Sequence, residues 1–209
     1  MSIDIKDPGT LSLYIGVPGC GKTANALVNC ISDAKVLGWP IVIIDSEGTV
    51  KPSDGLRGWN AEANKFLETI PTVESAIEAS KVAWKNGQHC RFVPQGEKDI
   101  EHIATACSIG KSCIVLFDEA GLYCTPNGTP KSVERIVRTH RHLQIRMHIT
   151  TQYLHDISPL FRNCASEARI YRNDDVRALE LIEIRYGYPK NVIRAQGRGE
   201  CKYWNRRFK

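Results

Sequence analysis

One short segment near the N-terminus contains the residue types that bind nucleotide phosphates. It fits the pattern G-x-x-x-x-G-K-[ST] in full and lies between an apolar stretch and a helix-forming stretch. Its glycines allow the backbone to fold around a phosphate group with the N–H groups pointing inward. We expect Lys22 to reach the β- and γ-phosphates of ATP, and the Thr23 hydroxyl to bind Mg²⁺. The predicted phosphate loop consists of Gly16, Val17, Pro18, Gly19, Cys20, Gly21, Lys22 and Thr23.

Two consecutive acidic residues follow the apolar run at 114–117. Asp118 and Glu119 would then lie at the carboxyl end of a buried strand, the edge at which ligands bind in open α/β sheets. We expect Asp118 to hold Mg²⁺, directly or through a water molecule. Glu119 would act as the base, or orient the water that attacks the γ-phosphate. Together with the phosphate loop, the pair predicts nucleotide hydrolysis.

A second polar strand end occurs at Gln152, after the predicted strand at 145–150. If this strand lies between the strand of the phosphate loop and the strand of Asp118, Gln152 would face the γ-phosphate and its water. The alternative is an ordinary polar strand terminus without a catalytic role.

Alternating strand and helix patterns predict one α/β domain over 1–209, because this length suits a single domain with a full core. The alternation predicts a three-layer α/β/α P-loop NTPase fold with a mostly parallel central sheet. A long connector, 46–71, interrupts it and is expected to be functional or partly helical. Predicted strands cover 11–15, 40–44, 90–93, 113–117, 145–150 and 168–171, with an edge strand over 201–204. Predicted helices cover 22–34, 72–85, 100–108, 130–139 and 176–185.

Charge is concentrated at the C-terminal end of the chain. The net charge is +5, and the segment 185–209 alone contains eight basic residues and one acid. A near-neutral body with a basic end is typical of proteins that bind polyanions. A solvated surface tail is the alternative that charge alone leaves open.

Several classes of protein are disfavoured by composition. No apolar run approaches the roughly 20 residues that span a bilayer, and the first seven residues lack the apolar core of a signal peptide. The eight cysteines are scattered without a C-x-x-C pair, which indicates buried free thiols rather than a disulfide framework. We therefore expect the chain to remain in the cytoplasm of the cell that makes it.

In combination these motifs resemble the HerA/FtsK superfamily of ring-forming motors with a RecA-like fold. The resemblance spans about residues 10 to 172 and includes the glycine loop, Asp118-Glu119-Ala120, Arg141-His142 and Gln152. Two branches are similar to this chain. One contains the genome-packaging ATPases of membrane-containing icosahedral viruses, and the other the zonula-occludens-toxin-type assembly proteins of filamentous phages. The second branch usually carries a membrane-spanning segment, which this sequence lacks, so packaging is favoured.

The resemblance implies an ATP- and Mg²⁺-dependent motor that moves double-stranded DNA. It further implies self-association into a hexameric or pentameric ring and a capsid or portal component at a membrane-containing vertex as partner. The expected location is the host cytoplasm, with association with the virion as a second location. In this superfamily a basic residue before the Gln-ending strand acts as an arginine finger in the neighbouring subunit's site. Arg141 occupies that place, and the other candidates are Arg138, Arg146, Arg162 and Arg169.

Two predicted loops carry residues suited to DNA phosphates, although ordinary surface loops are the alternative. The connector 46–71 contains Lys51, Arg57 and Trp59. The segment 122–131 contains Thr125, Asn127, Thr129 and Lys131.

Three other functions fit a small P-loop protein. A phage-type assembly ATPase would drive extrusion, a nucleotide or metabolite kinase would transfer phosphate to a small acceptor, and a nucleotide-dependent switch would not hydrolyse. A kinase usually needs an arginine-rich lid and an acceptor pocket, whereas Asp118, Glu119 and Gln152 favour water as the acceptor. Glu119 also disfavours the switch.

Overall fold

A single sheet organises the residues that the computed structural model describes, namely 9–52 and 61–206. Its strands in this described part are β1 (Leu11–Ile15), β2 (Ile41–Asp45), β3 (Thr72–Val73), β4 (Cys90–Phe92), β5 (Cys113–Asp118), β6 (Ile145–Thr151), β7 (Glu167–Tyr171) and β8 (Cys201–Asn205). They pair in the order β3-β4-β2-β5-β6-β1-β7-β8. Every neighbouring pair is parallel except β7 and β8, so the sheet is mostly parallel.

Helices connect the strands, as parallel pairing requires. The α-helices are α1 (Lys22–Leu37), α2 (Ala61–Thr69), α3 (Ala76–Ser80), α4 (Glu97–Gly110), α5 (Lys131–Thr139), α6 (Pro159–Cys164), α7 (Val176–Tyr186) and α8 (Lys190–Arg194). A π-helical turn (Lys81–Lys85) follows α3, and a 3₁₀ turn (Ala120–Leu122) follows β5. Among the helices of the described residues, none has the length and apolar character that crossing a bilayer would demand.

Both faces of the sheet are covered. Successive side chains of a strand point to opposite faces, and in β5 both sets are apolar. Ile114 and Leu116 belong to the apolar cluster beneath α1 and α2. Val115 and Phe117 belong to the cluster beneath α4, α5, α6 and α7. This arrangement confirms the predicted three-layer α/β/α fold.

Strand order brings the predicted site residues to one edge. β6 lies between β5 and β1, the position that the expectation for Gln152 required. Phe117 pairs with Ile149, and Ile15 pairs with Thr151, so the carboxyl ends of the three strands lie side by side. The phosphate loop, the acidic pair after β5 and the polar end of β6 therefore meet there.

The region 72–85 is not the single helix that the sequence predicts. Its first two residues form the edge strand β3, which pairs with β4. Ser75 then caps α3, because its hydroxyl accepts a hydrogen bond from the Glu78 N–H at 3.1 Å. Residues 72–73 are a strand because they pair with β4. The spacing of apolar residues within 72–85 gives no sign of that long-range pairing.

Most of the basic C-terminal segment is folded against the sheet. It forms α8 and then β8, which confirms the predicted edge strand at 201–204. Trp204 packs edge-on against Tyr186, with ring centroids 5.1 Å apart. Arg207 and Lys209 lie outside the described residues. The described part of the segment is thus integrated into the fold rather than a solvated tail.

Candidate active site

The phosphate loop joins the end of β1 to the start of α1. Gly19 and Gly21 have φ angles of +74° and +96°, which side chains with a Cβ rarely adopt. Gly21 is the N-cap of α1, and neither a side-chain cap nor an acidic residue occupies the first turn. The N–H groups and the positive dipole end of this 16-residue helix therefore point into the loop, where an anion is favoured.

Neighbouring strands fix the beginning of the loop. The Gly16 N–H donates to the Thr151 carbonyl at 3.2 Å, and the Val17 N–H donates to the Arg172 carbonyl at 3.1 Å. A Cβ at Gly16 would lie 2.7 Å from Cβ of Tyr171, so only glycine fits there. The loop is thereby held between the ends of β6 and β7 before it turns into the helix.

The lysine of the loop forms an ion pair with the acidic residue after β5. Lys22 Nζ lies 2.5 Å from Glu119 Oε1, and both residues are buried. Glu119 has a left-handed backbone, with φ 48° and ψ 51°, an uncommon conformation for a residue other than glycine. Its N–H donates to Thr150 Oγ1 at 2.8 Å. The contact brings together two residues that the sequence assigned to the γ-phosphate.

The loop threonine contacts the other acidic residue. The hydroxyls of Thr23 and Thr150 each donate to Asp118 Oδ1 at 2.8 Å. Burial raises the pKa of Asp118 to about 6, and the two hydroxyl donors and Lys22 offset only part of this effect. Above that pH, a carboxylate and a hydroxyl stand side by side, and Mg²⁺ prefers such oxygen ligands. The oxygen atoms of Thr23 and Asp118 therefore suit the Mg²⁺ site that the sequence predicts.

A cleft of about 550 Å³ opens beside Glu119. Gln152 lines it, and Asn173 Nδ2 donates to the Gln152 carbonyl at 3.0 Å, which steadies the end of β6. Gln152 is thus placed in the same cleft as the predicted catalytic carboxylate. The other lining residues are Glu47, Gly121, Leu122, Thr125, Pro126, Asn127, Thr151, His155, Asp156 and Arg177.

Several residues around the acidic pair and the cleft were not predicted. Thr150 contacts Asp118 and the Glu119 N–H, whereas the sequence predicts it only as the last residue of the strand at 145–150. Its signal in the sequence is a hydroxyl next to the last apolar residue of β6. Glu47 and His155 lie in turns and Arg177 lies in the first turn of α7, and no local pattern indicates that these segments approach the cleft.

The predicted arginine finger lies near the amino ends of the strands, on the side of the sheet opposite to the phosphate loop. Arg141 is exposed in the turn before β6, and a Cβ at Gly9 would lie 2.5 Å from its Cα. Arg138, near the end of α5, is also exposed. Because the phosphate loop occupies the carboxyl edge, neither arginine serves the site of its own chain. A role in a neighbouring subunit's site stays a prediction.

Two of the other finger candidates are engaged inside the fold. Arg146 Nη1 donates to Asp33 Oδ1 at 2.8 Å, and Arg169 Nη1 donates to Glu167 Oε1 at 3.1 Å. The Arg162 carbonyl accepts a hydrogen bond from the Arg185 guanidinium. Transfer of Arg146 or Arg169 to a neighbouring chain would break a largely buried ion pair, so the exposed Arg141 and Arg138 and the partly buried Arg162 remain candidates.

The segments predicted to contact DNA differ in their positions. Thr125 and Asn127 line the cleft beside Glu119. The Lys131 N–H donates to Glu101 Oε1 at 2.8 Å at the start of α5. Lys51 is exposed, whereas Arg57 and Trp59 lie outside the described residues. A role in DNA binding stays a prediction for both segments.

Several solved structures share the fold of this chain. No protein-family model and no curated protein matches the chain. The genome packaging NTPase B204 from Sulfolobus turreted icosahedral virus 2, in complex with AMP, matches with TM-score 0.71 and 11% identity, over 95% of this chain and 94% of its own. The DNA-packaging ATPase B204 from Sulfolobus turreted icosahedral virus matches with TM-score 0.65 and 13% identity, over 95% and 98%. VirB4 of Thermoanaerobacter pseudethanolicus matches with TM-score 0.57 and 10% identity, over 93% and 86%. The chain therefore shares the fold of these two packaging proteins and of VirB4, in agreement with the fold that its motifs predicted.

Proposed function

We propose that this chain is a Mg²⁺-dependent ATPase that drives double-stranded DNA into a viral capsid. The observation that carries the proposal is the direct linkage of the phosphate loop to the acidic pair after β5. Lys22 contacts Glu119, and Thr23 contacts Asp118, beside a cleft that Gln152 lines. The likeness in fold to packaging NTPases supports the assignment to this kind of motor.

Binding of ATP would begin with an exchange of partners at Lys22. The backbone N–H groups of the loop and the first turn of α1 cradle the phosphates. The phosphate oxygens compete with the Glu119 carboxylate for the Lys22 ammonium, which now lies 2.5 Å from that carboxylate. Occupation of the loop would therefore release Glu119 for another role.

Thr23 and Asp118 would hold the metal ion. Mg²⁺, when bound there, neutralises negative charge on the β- and γ-phosphates. The Thr150 hydroxyl donates to Asp118 Oδ1. It would not contact the nucleotide, and its role would be to keep the carboxylate oriented. Ionised Asp118 is the competent form, because protonation would remove its charge.

Glu119 and Gln152 would act on the attacking water. The released carboxylate accepts a proton from water as the water oxygen bonds to the γ-phosphorus and ADP leaves. The Gln152 amide would hold that water in line. Water fits as the acceptor because the cleft beside Glu119 is lined largely by polar and charged side chains.

Subunits would assemble into a ring and complete one another's sites. Arg141, or Arg138, would supply a guanidinium to the γ-phosphate of a neighbour, where it can add several orders of magnitude in rate. DNA would contact the ring through phosphate-binding side chains without base readout. A capsid or portal component would anchor the ring in the host cytoplasm or on the virion.

One experiment tests this function and separates its rivals. ATPase activity is measured with and without double-stranded DNA, alongside molecular mass in solution. Stimulation by duplex DNA in a ring-sized species supports the packaging motor. Stimulation by single-stranded DNA alone would favour extrusion, and phosphate transfer to a small acceptor would identify a kinase. A monomer that hydrolyses ATP without response to DNA would refute translocation.

A further inference from the structure

A turn far along the chain lies directly against the phosphate loop. The Gly199 N–H donates to the Cys20 carbonyl at 3.0 Å. A Cβ at Gly21 would lie 3.6 Å from Gly199 Cα, so the turn borders the space beside Gly21. The segment 197–200, here named the GRGE turn after its sequence Gly-Arg-Gly-Glu, is therefore part of the surroundings of the nucleotide.

Its own hydrogen bonds hold the GRGE turn in place. The Gly197 N–H donates to Glu200 Oε2 at 2.9 Å, and the Glu200 N–H donates to the Gly197 carbonyl at 3.2 Å. Before the turn, buried Gln196 donates from Nε2 to the Ile170 carbonyl of β7 at 3.1 Å. After it, β8 begins at once. The turn is thus anchored on both sides and presents Arg198 at an exposed position.

The GRGE turn and the catalytic carboxylate lie on opposite sides of β1. Glu119 and Gln152 follow β5 and β6, whereas the turn connects to β7 and β8, beyond β1 in the sheet. The γ-phosphate must point toward Glu119 for hydrolysis, and the loop amides cradle the α- and β-phosphates. The nucleoside therefore leaves the loop on the other side, where the turn lies.

We propose that the GRGE turn forms the nucleoside-binding wall of the site and that the Arg198 guanidinium packs against the base of the bound nucleotide. This inference rests on the proposed function, because it takes ATP as the ligand. A guanidinium is planar and stacks well on aromatic faces, which suits a purine. The backbone contact at Gly199 fixes the distance between this wall and the loop.

Isothermal titration with two ligands tests the proposal in the intact protein. Mg·ATP contains the nucleoside, whereas magnesium tripolyphosphate contains only the phosphates. The wild-type protein should bind ATP more tightly than tripolyphosphate. Arg198→Ala should weaken ATP binding by about tenfold, the loss of one well-placed cation–π contact, and leave tripolyphosphate binding unchanged. Arg194→Ala, an exposed arginine in α8, is the matched control and should change neither affinity.

A second variant separates stacking from charge. Arg198→Lys keeps the positive charge but removes the planar group, so it should lose ATP affinity nearly as Arg198→Ala does. An equal loss for both ligands would mean that Arg198 contacts phosphate and would overturn the proposal. Unchanged ATP binding in Arg198→Ala, or equal wild-type affinities for the two ligands, would also overturn it. A wild-type protein that prefers ATP but does not hydrolyse it would refute the proposed ATPase function and not this inference.

Discussion

Two buried ionic clusters lie along the same helix, α1, and differ in what surrounds them. At the first residue of the helix, Lys22 pairs with Glu119 at 2.5 Å. About three turns later, Asp33 Oδ1 accepts a hydrogen bond from Arg146 at 2.8 Å, and its Oδ2 lies 2.9 Å from His148 Nε2. Both clusters join the helix to strands of the central sheet.

The first cluster borders open space, whereas the second is closed by fixed side chains. Both carboxylate oxygens of Asp33 have partners, and His148 Nδ1 lies 2.9 Å from the Tyr14 hydroxyl. By contrast, Glu119 has a left-handed backbone and lines the cleft, and burial raises the pKa of Asp118. Backbone strain and shifted pKa values are typical of functional sites. Similar ionic contacts can therefore serve chemistry at one end of a helix and packing further along it.

Of all the variants, the one that removes the Lys22 charge from the first cluster should have the largest effect. Lys22→Ala removes the ammonium that faces the β- and γ-phosphates, so Mg·ATP affinity should fall by about a thousandfold. Nucleotide titration measures the loss. Lys35→Ala, which changes an exposed lysine of the same helix, is the control and should bind normally. Wild-type affinity in Lys22→Ala would refute the assignment of the loop.

Disruption of the second cluster should instead affect stability. Asp33→Ala leaves Arg146 buried without its carboxylate, which typically costs about 3–5 kcal/mol of unfolding free energy. Urea denaturation measures this change, while ATP affinity at low temperature should remain close to wild type. Asp33→Leu combined with Arg146→Met, which removes both charges, should recover part of the lost stability. Equal losses in the single and double variants would contradict the ion-pair explanation.

The sequence predicts the first cluster far better than the second. The loop and the acidic pair are contiguous motifs that follow apolar runs, so their types and spacing suffice. The expectation for Gln152 required one further assumption, that β6 lies between β5 and β1, and the sheet order confirms this assumption. Asp33 and Arg146 are 113 residues apart, and neither lies in a recognisable pattern. Their contact depends on how α1 packs on the sheet.

Long-range pairing also explains the remaining differences. The edge strand β3 has two residues, and its pairing with β4 decides its conformation more than its own propensity does. Thr150 reaches Asp118 only because the register of β5 and β6 places Phe117 opposite Ile149. The GRGE turn reaches the loop because β8 returns antiparallel along β7. Each of these contacts joins segments distant in the sequence, which local patterns do not report.

Neutralisation of the carboxylate in the first cluster should separate binding from chemistry. Glu119→Gln removes the base, so turnover should fall by at least about a hundredfold. ATP affinity should rise, because the phosphates no longer compete with a carboxylate for Lys22. Glu47→Gln makes the same change on an exposed residue of the same cleft and is the control. Wild-type turnover in Glu119→Gln would mean that another group orients the water.

The smallest expected effect is on the melting temperature, because ionised Asp118 lowers the stability of the fold. The pKa of Asp118 is about 6 in the folded protein, above the 3.8 that is usual for an aspartate, so ionisation of Asp118 opposes folding. This cost is fully present above pH 6 and disappears as the pH falls toward the unfolded value. Asp118→Asn should therefore raise the melting temperature by about 5 °C at pH 8 and by almost nothing near pH 4. The same variant should lose Mg²⁺-dependent turnover at every pH. A melting temperature that falls at pH 8 would show that ionised Asp118 stabilises the fold, and Asp118 would then resemble Asp33 rather than a residue kept for catalysis.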